Sequence, residues 1–84
     1  MNLNLKGKNV LITGSSRGIG LGIARQFSME NCNIVLNGRA ENCQEVLSSI
    51  SGSHYVAGDV STEEGAKSVI NEAVKILGSL DILV

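Results

Sequence analysis

Three closely spaced glycines, Gly14, Gly18 and Gly20, make one short segment of this sequence suited to hold a phosphate group. An apolar run precedes the segment and a helical pattern follows it, so we interpret it as a strand-to-helix turn. Such a turn leaves backbone N–H groups unpaired at a helix N-terminus, where the helix dipole also favours negative charge. Glycine is needed because the turn requires φ angles that a Cβ disfavours and because the backbone approaches ligand and sheet closely. The predicted pyrophosphate-binding residues are Gly14, Ser16, Arg17, Gly18, Ile19 and Gly20.

The segment Asn37-Gly38-Arg39 bears on which dinucleotide fits. In NAD sites an acidic side chain about 20 residues after the glycines accepts hydrogen bonds from the adenosine ribose and would repel a 2′-phosphate. This segment has no carboxylate, whereas Arg39 and Arg17 can each pair with a phosphate through a planar guanidinium group. We therefore predict that Arg17, Asn37 and Arg39 contact the cofactor and that NADP(H) is preferred over NAD(H).

Plain structural alternatives stand beside these assignments. A tight turn with two close packing contacts also explains the three glycines. Arg17 and Arg39 are also explained as solvated loop charges. A shift of two residues would bring Glu41 into the ribose site and reverse the cofactor preference.

Four apolar runs alternate with three segments of helical periodicity. The runs predict strands at residues 9–12, 33–36, 54–57 and 81–84. We expect Gly52 and Gly78 to end the second and third helices, and Ser61 with Glu64 to begin the third as a capping box. The predicted buried stripes of the three helices are Ile19, Ile23, Ala24 and Phe27; Cys43, Val46, Leu47 and Ile50; and Ala66, Val69, Ile70, Ala73, Val74 and Leu77.

This alternation implies right-handed crossovers and a parallel sheet with helices on both faces. The predicted fold class is α/β, a Rossmann-type doubly wound sheet of four strands and three helices in the order 3-2-1-4. In that order the ligand crevice lies at the carboxyl ends of the strands, beside the switch point between strands 1 and 4. Residues 1–84 are expected to form one truncated domain, half of such a dinucleotide-binding fold, with the fourth strand as an unprotected apolar edge.

Composition excludes several classes of protein. With 84 residues and 43% apolar residues, the chain has enough aliphatic side chains for a core and forms one domain at most. Its net charge of −1 and scattered basic residues argue against binding to nucleic acid or an anionic membrane. It has neither an apolar run of about 18 residues nor a signal-peptide core, so we expect a cytoplasmic protein. Cys32 and Cys43 fit no metal or redox spacing and are expected to be reduced thiols, with no metal site.

The motif from Thr13 to Gly20, Thr-Gly-x-x-x-Gly-Ile-Gly, resembles the cofactor motif of the short-chain dehydrogenase/reductase family. The resemblance covers the whole chain, up to the closing Leu-Asp-Ile-Leu-Val. It implies that Asp59 accepts a hydrogen bond from the adenine amine and that the backbone of Val60 adds a second contact. The competing interpretation is that Asp59 only starts the turn before the third helix.

The resemblance also implies that the catalytic residues of the family are missing. In the family, an Asn-Asn-Ala-Gly turn follows the fourth strand, and a catalytic Ser and a Tyr-x-x-x-Lys pair come later. Tyr55 cannot replace that pair because Asp59 stands four residues after it. We predict no catalytic residue in this chain, and we interpret His54 and Tyr55 as packed or solvated side chains.

Two functions from different classes remain open. In the first, the chain is the cofactor-binding part of an NADP(H)-dependent oxidoreductase, similar to the 3-oxoacyl-carrier-protein reductases, that acts on a small carbonyl or alcohol substrate. The 84 residues would then be inactive alone, as a truncated reading frame or a portion of the protein. In the second, the chain is a non-catalytic nucleotide-binding or interaction module. The substrate, the reaction direction and a possible homo-oligomer stay undecided by sequence.

Overall fold

The computed structural model describes residues 5–41 and 44–84 of the chain. The four strands form one parallel sheet in the order β3-β2-β1-β4. The predicted Rossmann-like α/β fold and its strand order are therefore confirmed. The elements, in chain order, are β1 (Asn9–Ile12), α1 (Gly18–Met29), β2 (Asn33–Gly38), α2 (Gln44–Ser49), β3 (His54–Ala57), α3 (Glu63–Leu77) and β4 (Ile82–Leu83).

The central strands are buried on both faces, which gives two apolar cores. Successive strand residues point to opposite faces of a sheet, so Val10 and Ile12 of β1 join one core while Leu11 joins the other. The first core packs against Ala24 of α1 and Val46 of α2. The second core contains Val69 and Ala73 of α3.

Two residues of the predicted helical stripes are exposed. Ile19 is 85% exposed, because the first turn of α1 lies beyond the carboxyl end of the sheet. Val74 of α3 is 37% exposed. The prediction of burial was wrong for both, whereas Ile23 and Phe27 pack against the first core as predicted.

The N-cap of α3 is Thr62, not the predicted Ser61. The Thr62 hydroxyl accepts a hydrogen bond from the backbone N–H of Gly65 at 3.0 Å. The Ser61 hydroxyl instead donates to the Asp59 carboxylate at 2.6 Å. Gly78 ends α3 in the left-handed conformation, with φ of +88°, as predicted.

Helix α2 ends at Ser49, before the predicted boundary. The hydroxyls of Ser48 and Ser49 donate to the carbonyls of Gln44 and Val46, both at 2.7 Å, and such bonds weaken a helix. Cys43, predicted on this helix, lies outside the described residues.

The Cys32 thiol donates to the Leu5 carbonyl at 3.3 Å. Burial, with a smaller contribution from the charge of Glu30, raises the pKa of this thiol. The protonated form is therefore favoured, as expected for an unreactive cysteine.

Strand β2 continues beyond its predicted end because Asn37 and Gly38 pair with Val56 and Ala57 of β3. The Asn37 side chain then joins three strands at their carboxyl ends. Its Oδ1 accepts from the backbone N–H of Gly14, after β1, at 3.1 Å. Its Nδ2 donates to the carbonyls of Val56 at 3.0 Å and Gly58 at 3.2 Å. Asn37 is only 1% exposed, so water cannot replace these bonds.

We expect Asn37→Asp to destabilise the protein by about 3 kcal/mol or more at neutral pH. The substitution replaces the donating amide with an oxygen that faces the carbonyls of Val56 and Gly58, and it buries a charge. Urea unfolding would measure the loss. Since burial raises the pKa of such a carboxyl in the folded state, stability should be regained as the pH falls and lost as it rises.

The matched control is Asn33→Asp at the other end of β2. Asn33 also donates to two oxygens, those of Gly7 and the Asn9 side chain, but it is exposed. Its loss should cost about 1 kcal/mol or less. Equal losses for the two variants would contradict the role given to Asn37.

Candidate cofactor-binding site

The turn between β1 and α1 has a backbone that depends on its glycines. Gly14 and Gly18 have φ angles of +60° and +64°, in the left-handed region. A Cβ on Gly20 would collide with the carbonyl oxygen of Gly14 and would lie 3.0 Å from the Cα of Ser15. The first turn of α1 therefore packs directly against the backbone that follows β1.

The N-terminus of α1 has the properties of an anion site. Arg17 precedes the helix in an extended conformation, and its side chain makes no capping hydrogen bond. Within α1 no acidic residue stands in the first turn. The first N–H groups and the positive end of the helix dipole can thus serve an external anion.

Ser15 locks this turn to the end of β2, although it is not among the residues predicted from sequence. It is fully buried, and its hydroxyl donates to the carbonyl of Ile12 at 2.6 Å. Its backbone N–H donates to the Asn37 carbonyl at 2.8 Å, and its hydroxyl accepts from the Asn37 N–H at 2.9 Å. No spacing in the sequence signals a bond between residues this far apart in the chain.

A cavity of about 610 Å³ opens beside the turn, at the carboxyl ends of β1, β2 and β3. The structure brings together around it many of the predicted cofactor-binding residues, namely Gly14, Ser16, Arg17, Asn37, Arg39, Asp59 and Val60. Sequence reasoning did not assign the other lining residues, which are Gly38, Ala40, Gly58 and Ser61. A strand end or a loop supplies each of them, as the predicted crevice requires.

Three predicted residues, Gly18, Ile19 and Gly20, do not line this cavity. They form the first turn of α1 next to it. The amide of Asn37 is hydrogen-bonded to the protein itself. It holds Gly14 and Gly58, which line the cavity. Direct contact of these four residues with a cofactor stays a prediction.

The charges around the cavity are two arginines and one carboxylate. Arg17 and Arg39 are both exposed on its lining. Glu41, which sequence analysis considered as a ribose ligand, is exposed and does not belong to that lining. This arrangement favours an anionic ligand near the arginines.

Asp59 starts the turn before α3, as the competing interpretation held. Its Oδ1 accepts from the backbone N–H of Ser61 at 2.9 Å and from the Ser61 hydroxyl. These bonds, the hydroxyl first, hold the pKa of Asp59 below its ordinary value; desolvation opposes them, and the charge of Arg39 makes a smaller lowering contribution. An adenine amine needs a hydrogen-bond acceptor, and the Asp59 carboxylate is one; the contact predicted for Asp59 and Val60 stays a prediction.

The described part of the chain contains neither a metal-binding cluster nor a membrane-spanning helix. No group of His, Cys, Asp and Glu side chains there could hold a metal ion. None of the helices in residues 5–41 and 44–84 is long and apolar enough to cross a membrane. His54 is exposed, and the Tyr55 hydroxyl donates to the Ala40 carbonyl at 2.7 Å.

The family model for short chain dehydrogenases matches residues 8–84. The chain belongs to that family. Its members are oxidoreductases, which agrees with the resemblance found in the glycine motif. The family assignment covers the turn, the cavity and all four strands.

Known relatives extend well beyond this chain. A glucose 1-dehydrogenase of Gluconobacter oxydans is 40% identical over an aligned length of 84 residues, and the alignment covers 93% of this chain and 32% of the relative. A hydroxysteroid 11-beta-dehydrogenase 1-like protein B of Xenopus laevis is 44% identical over an aligned length of 87 residues, and the alignment covers 96% of this chain and 30% of the relative. The chain thus spans about a third of the length of the curated relatives it matches.

A crystal structure of the same family has a similar fold. It is the 3-ketoacyl-(acyl-carrier-protein) reductase from Brucella melitensis complexed with NADH. The TM-score is 0.84 at 32% identity, and the match covers 94% of this chain and 33% of the reductase.

We expect Ser61→Ala to raise the pKa of Asp59 toward its ordinary value, because the substitution removes the larger of the two hydrogen bonds to the carboxylate. Titration of the carboxyl carbon by NMR would measure this shift. Since the folded-state pKa is lowered, the stabilisation from the charged form is present at neutral pH and is lost as the pH falls through that pKa. Ser61→Thr keeps the hydroxyl and should keep the low pKa. An unchanged pKa in Ser61→Ala would contradict this account.

Proposed function

We propose that residues 1–84 are the NADP(H)-binding part of an oxidoreductase that transfers a hydride between the nicotinamide ring and a small carbonyl or alcohol substrate. Family membership and the NADH complex of the Brucella reductase support binding of a nicotinamide dinucleotide. The observation that carries the proposal is the cavity itself, where the glycine turn, Arg17 and Arg39 meet. In this proposal the α1 N-terminus holds the pyrophosphate and Asp59 with Val60 holds the adenine.

The geometry at Gly38 supports the preference for NADP(H) over NAD(H). Gly38 stands about 20 residues after the glycines of the turn, where an NAD site has its ribose-binding carboxylate. A Cβ at this position would lie 2.7 Å from the Tyr55 hydroxyl and 2.8 Å from Oγ of Ser16. An acidic side chain at Gly38 would therefore need both of these side-chain ends to move, whereas Arg39 beside it can receive a 2′-phosphate.

We expect Arg39→Asp to weaken NADPH binding at least about tenfold, because it removes a charge-assisted pair with the 2′-phosphate and adds a repelling carboxylate. Titration of NADPH fluorescence would give the Kd, and NADH should lose no affinity. The control is Arg25→Asp, which makes the same charge change at an exposed position of α1 outside the cavity lining. Unaltered NADPH affinity in Arg39→Asp would remove Arg39 from the site.

Catalysis needs more than the bound cofactor. The nicotinamide supplies or accepts the hydride, and the substrate oxygen also needs an acid or base within hydrogen-bond reach. Asp59 is the one carboxyl group among the described cavity-lining residues, and its lowered pKa makes it a poor proton donor at neutral pH. We propose that the catalytic acid or base is not among these 84 residues.

We accordingly expect a protein of these 84 residues to bind NADPH without oxidising it in the presence of ketones. NADPH absorbance over a panel of ketones would test turnover, and the fluorescence titration would test binding on the same sample. Steady oxidation that depends on the ketone would contradict the assignment. Separately from this assay, the mass of the protein isolated from its natural source would distinguish a complete reductase from a binding module.

A further inference from the structure

Tyr55 reaches from a strand to the loop that carries Arg39. It lies on β3, in register with Leu36 of β2, and it packs against the core between the sheet and α1. Its hydroxyl donates to the Ala40 carbonyl at 2.7 Å. Ala40 follows Arg39 directly, and both line the cavity. The edge strand β3 thus holds an exposed loop through the Tyr55 hydroxyl.

The same hydroxyl lies next to the glycine turn. The two nearest atoms to a Cβ built on Gly38 are the Tyr55 hydroxyl oxygen and Oγ of Ser16. The missing side chain at Gly38 therefore lets Tyr55 and the turn residue Ser16 approach the same point of β2. Arg39 leaves the strand at that point.

We propose that Tyr55 is a positioning residue for cofactor discrimination: by fixing the Ala40 carbonyl it holds the backbone of Arg39 where the guanidinium group meets a 2′-phosphate. This inference rests on the NADP(H) preference proposed above. Pairing of the guanidinium group with a phosphate costs entropy of both the long, rotatable side chain and the loop backbone. A backbone that is already fixed removes the second part of that cost. The proposal confines the effect of the Tyr55 hydroxyl to the 2′-phosphate.

The test compares two ligands that differ only in the 2′-phosphate. Calorimetry would give the Kd of ADP-ribose and of 2′-phospho-ADP-ribose for the unaltered protein and for Tyr55→Phe, which keeps the ring and removes the hydroxyl. The hydrogen bond to the Ala40 carbonyl is lost, so we expect the preference for the phosphorylated ligand to fall about fivefold. The Kd of ADP-ribose should stay within about twofold. A purely structural role would weaken both ligands alike and leave their ratio unchanged.

Ser53→Ala is the matched control. The Ser53 hydroxyl also donates to a backbone carbonyl, that of Ile50, at 2.7 Å, but it lies before β3 and away from the cavity lining. We expect this variant to keep the ligand ratio of the unaltered protein. A ratio that falls as far in Ser53→Ala as in Tyr55→Phe would overturn the proposal.

The failure of this inference can be distinguished from failure of the proposed function. If Arg39→Asp abolishes the preference for the 2′-phosphate and Tyr55→Phe leaves it intact, the role of Tyr55 is wrong and the proposed function stands. If the unaltered protein has no such preference, both the NADP(H) assignment and the role of Tyr55 are overturned.

Discussion

The buried amide of Asn37 is the interaction on which the carboxyl edge of this sheet depends. It joins the turn after β1 to the ends of β2 and β3 through Gly14, Val56 and Gly58. No loop joins neighbouring parallel strands at this edge, because each chain segment leaves the edge toward its own crossover helix. A side chain with one acceptor and two donors can hold three such segments at once. The Asn37 side chain therefore ties the cavity wall to the strands beneath it.

The glycine turn adds a second constraint at the same edge. Ser15 exchanges hydrogen bonds with the backbone of Asn37, and Gly20 lets α1 approach the carbonyl of Gly14. Together these contacts fix the start of α1 relative to β2. An anion at the helix N-terminus would thus lie at a set distance from the loop that carries Arg39, which a dinucleotide with phosphates at two positions requires.

Local patterns in the sequence were enough to predict the strand order and the crevice. Each strand is a short apolar run, each helix has its period, and the handedness of the crossovers leaves few arrangements. The glycine spacing and the missing carboxylate at residues 37–39 likewise pointed to the loops that line the cavity. These features depend on neighbours in the chain, which a single sequence displays.

The remaining features depend on partners far apart in the chain. Asn37 was predicted as a cofactor contact, but its amide bonds to residues between 19 and 23 positions away, and no spacing rule describes such bonds. Thr62 caps α3 in place of the predicted Ser61, whose hydroxyl donates to Asp59.

The contacts of Tyr55 likewise depend on residues far apart in the chain, because the fold brings its hydroxyl to Ala40 and next to Gly38. Discrimination between the two cofactors would then have a steric part as well as a charge part. Replacing Arg39 alone removes attraction for a 2′-phosphate, whereas a ribose-binding carboxylate at position 38 would also meet the Tyr55 hydroxyl and Oγ of Ser16. Conversion to an NAD site would therefore need these two side chains to move or to be replaced, together with a change in the loop.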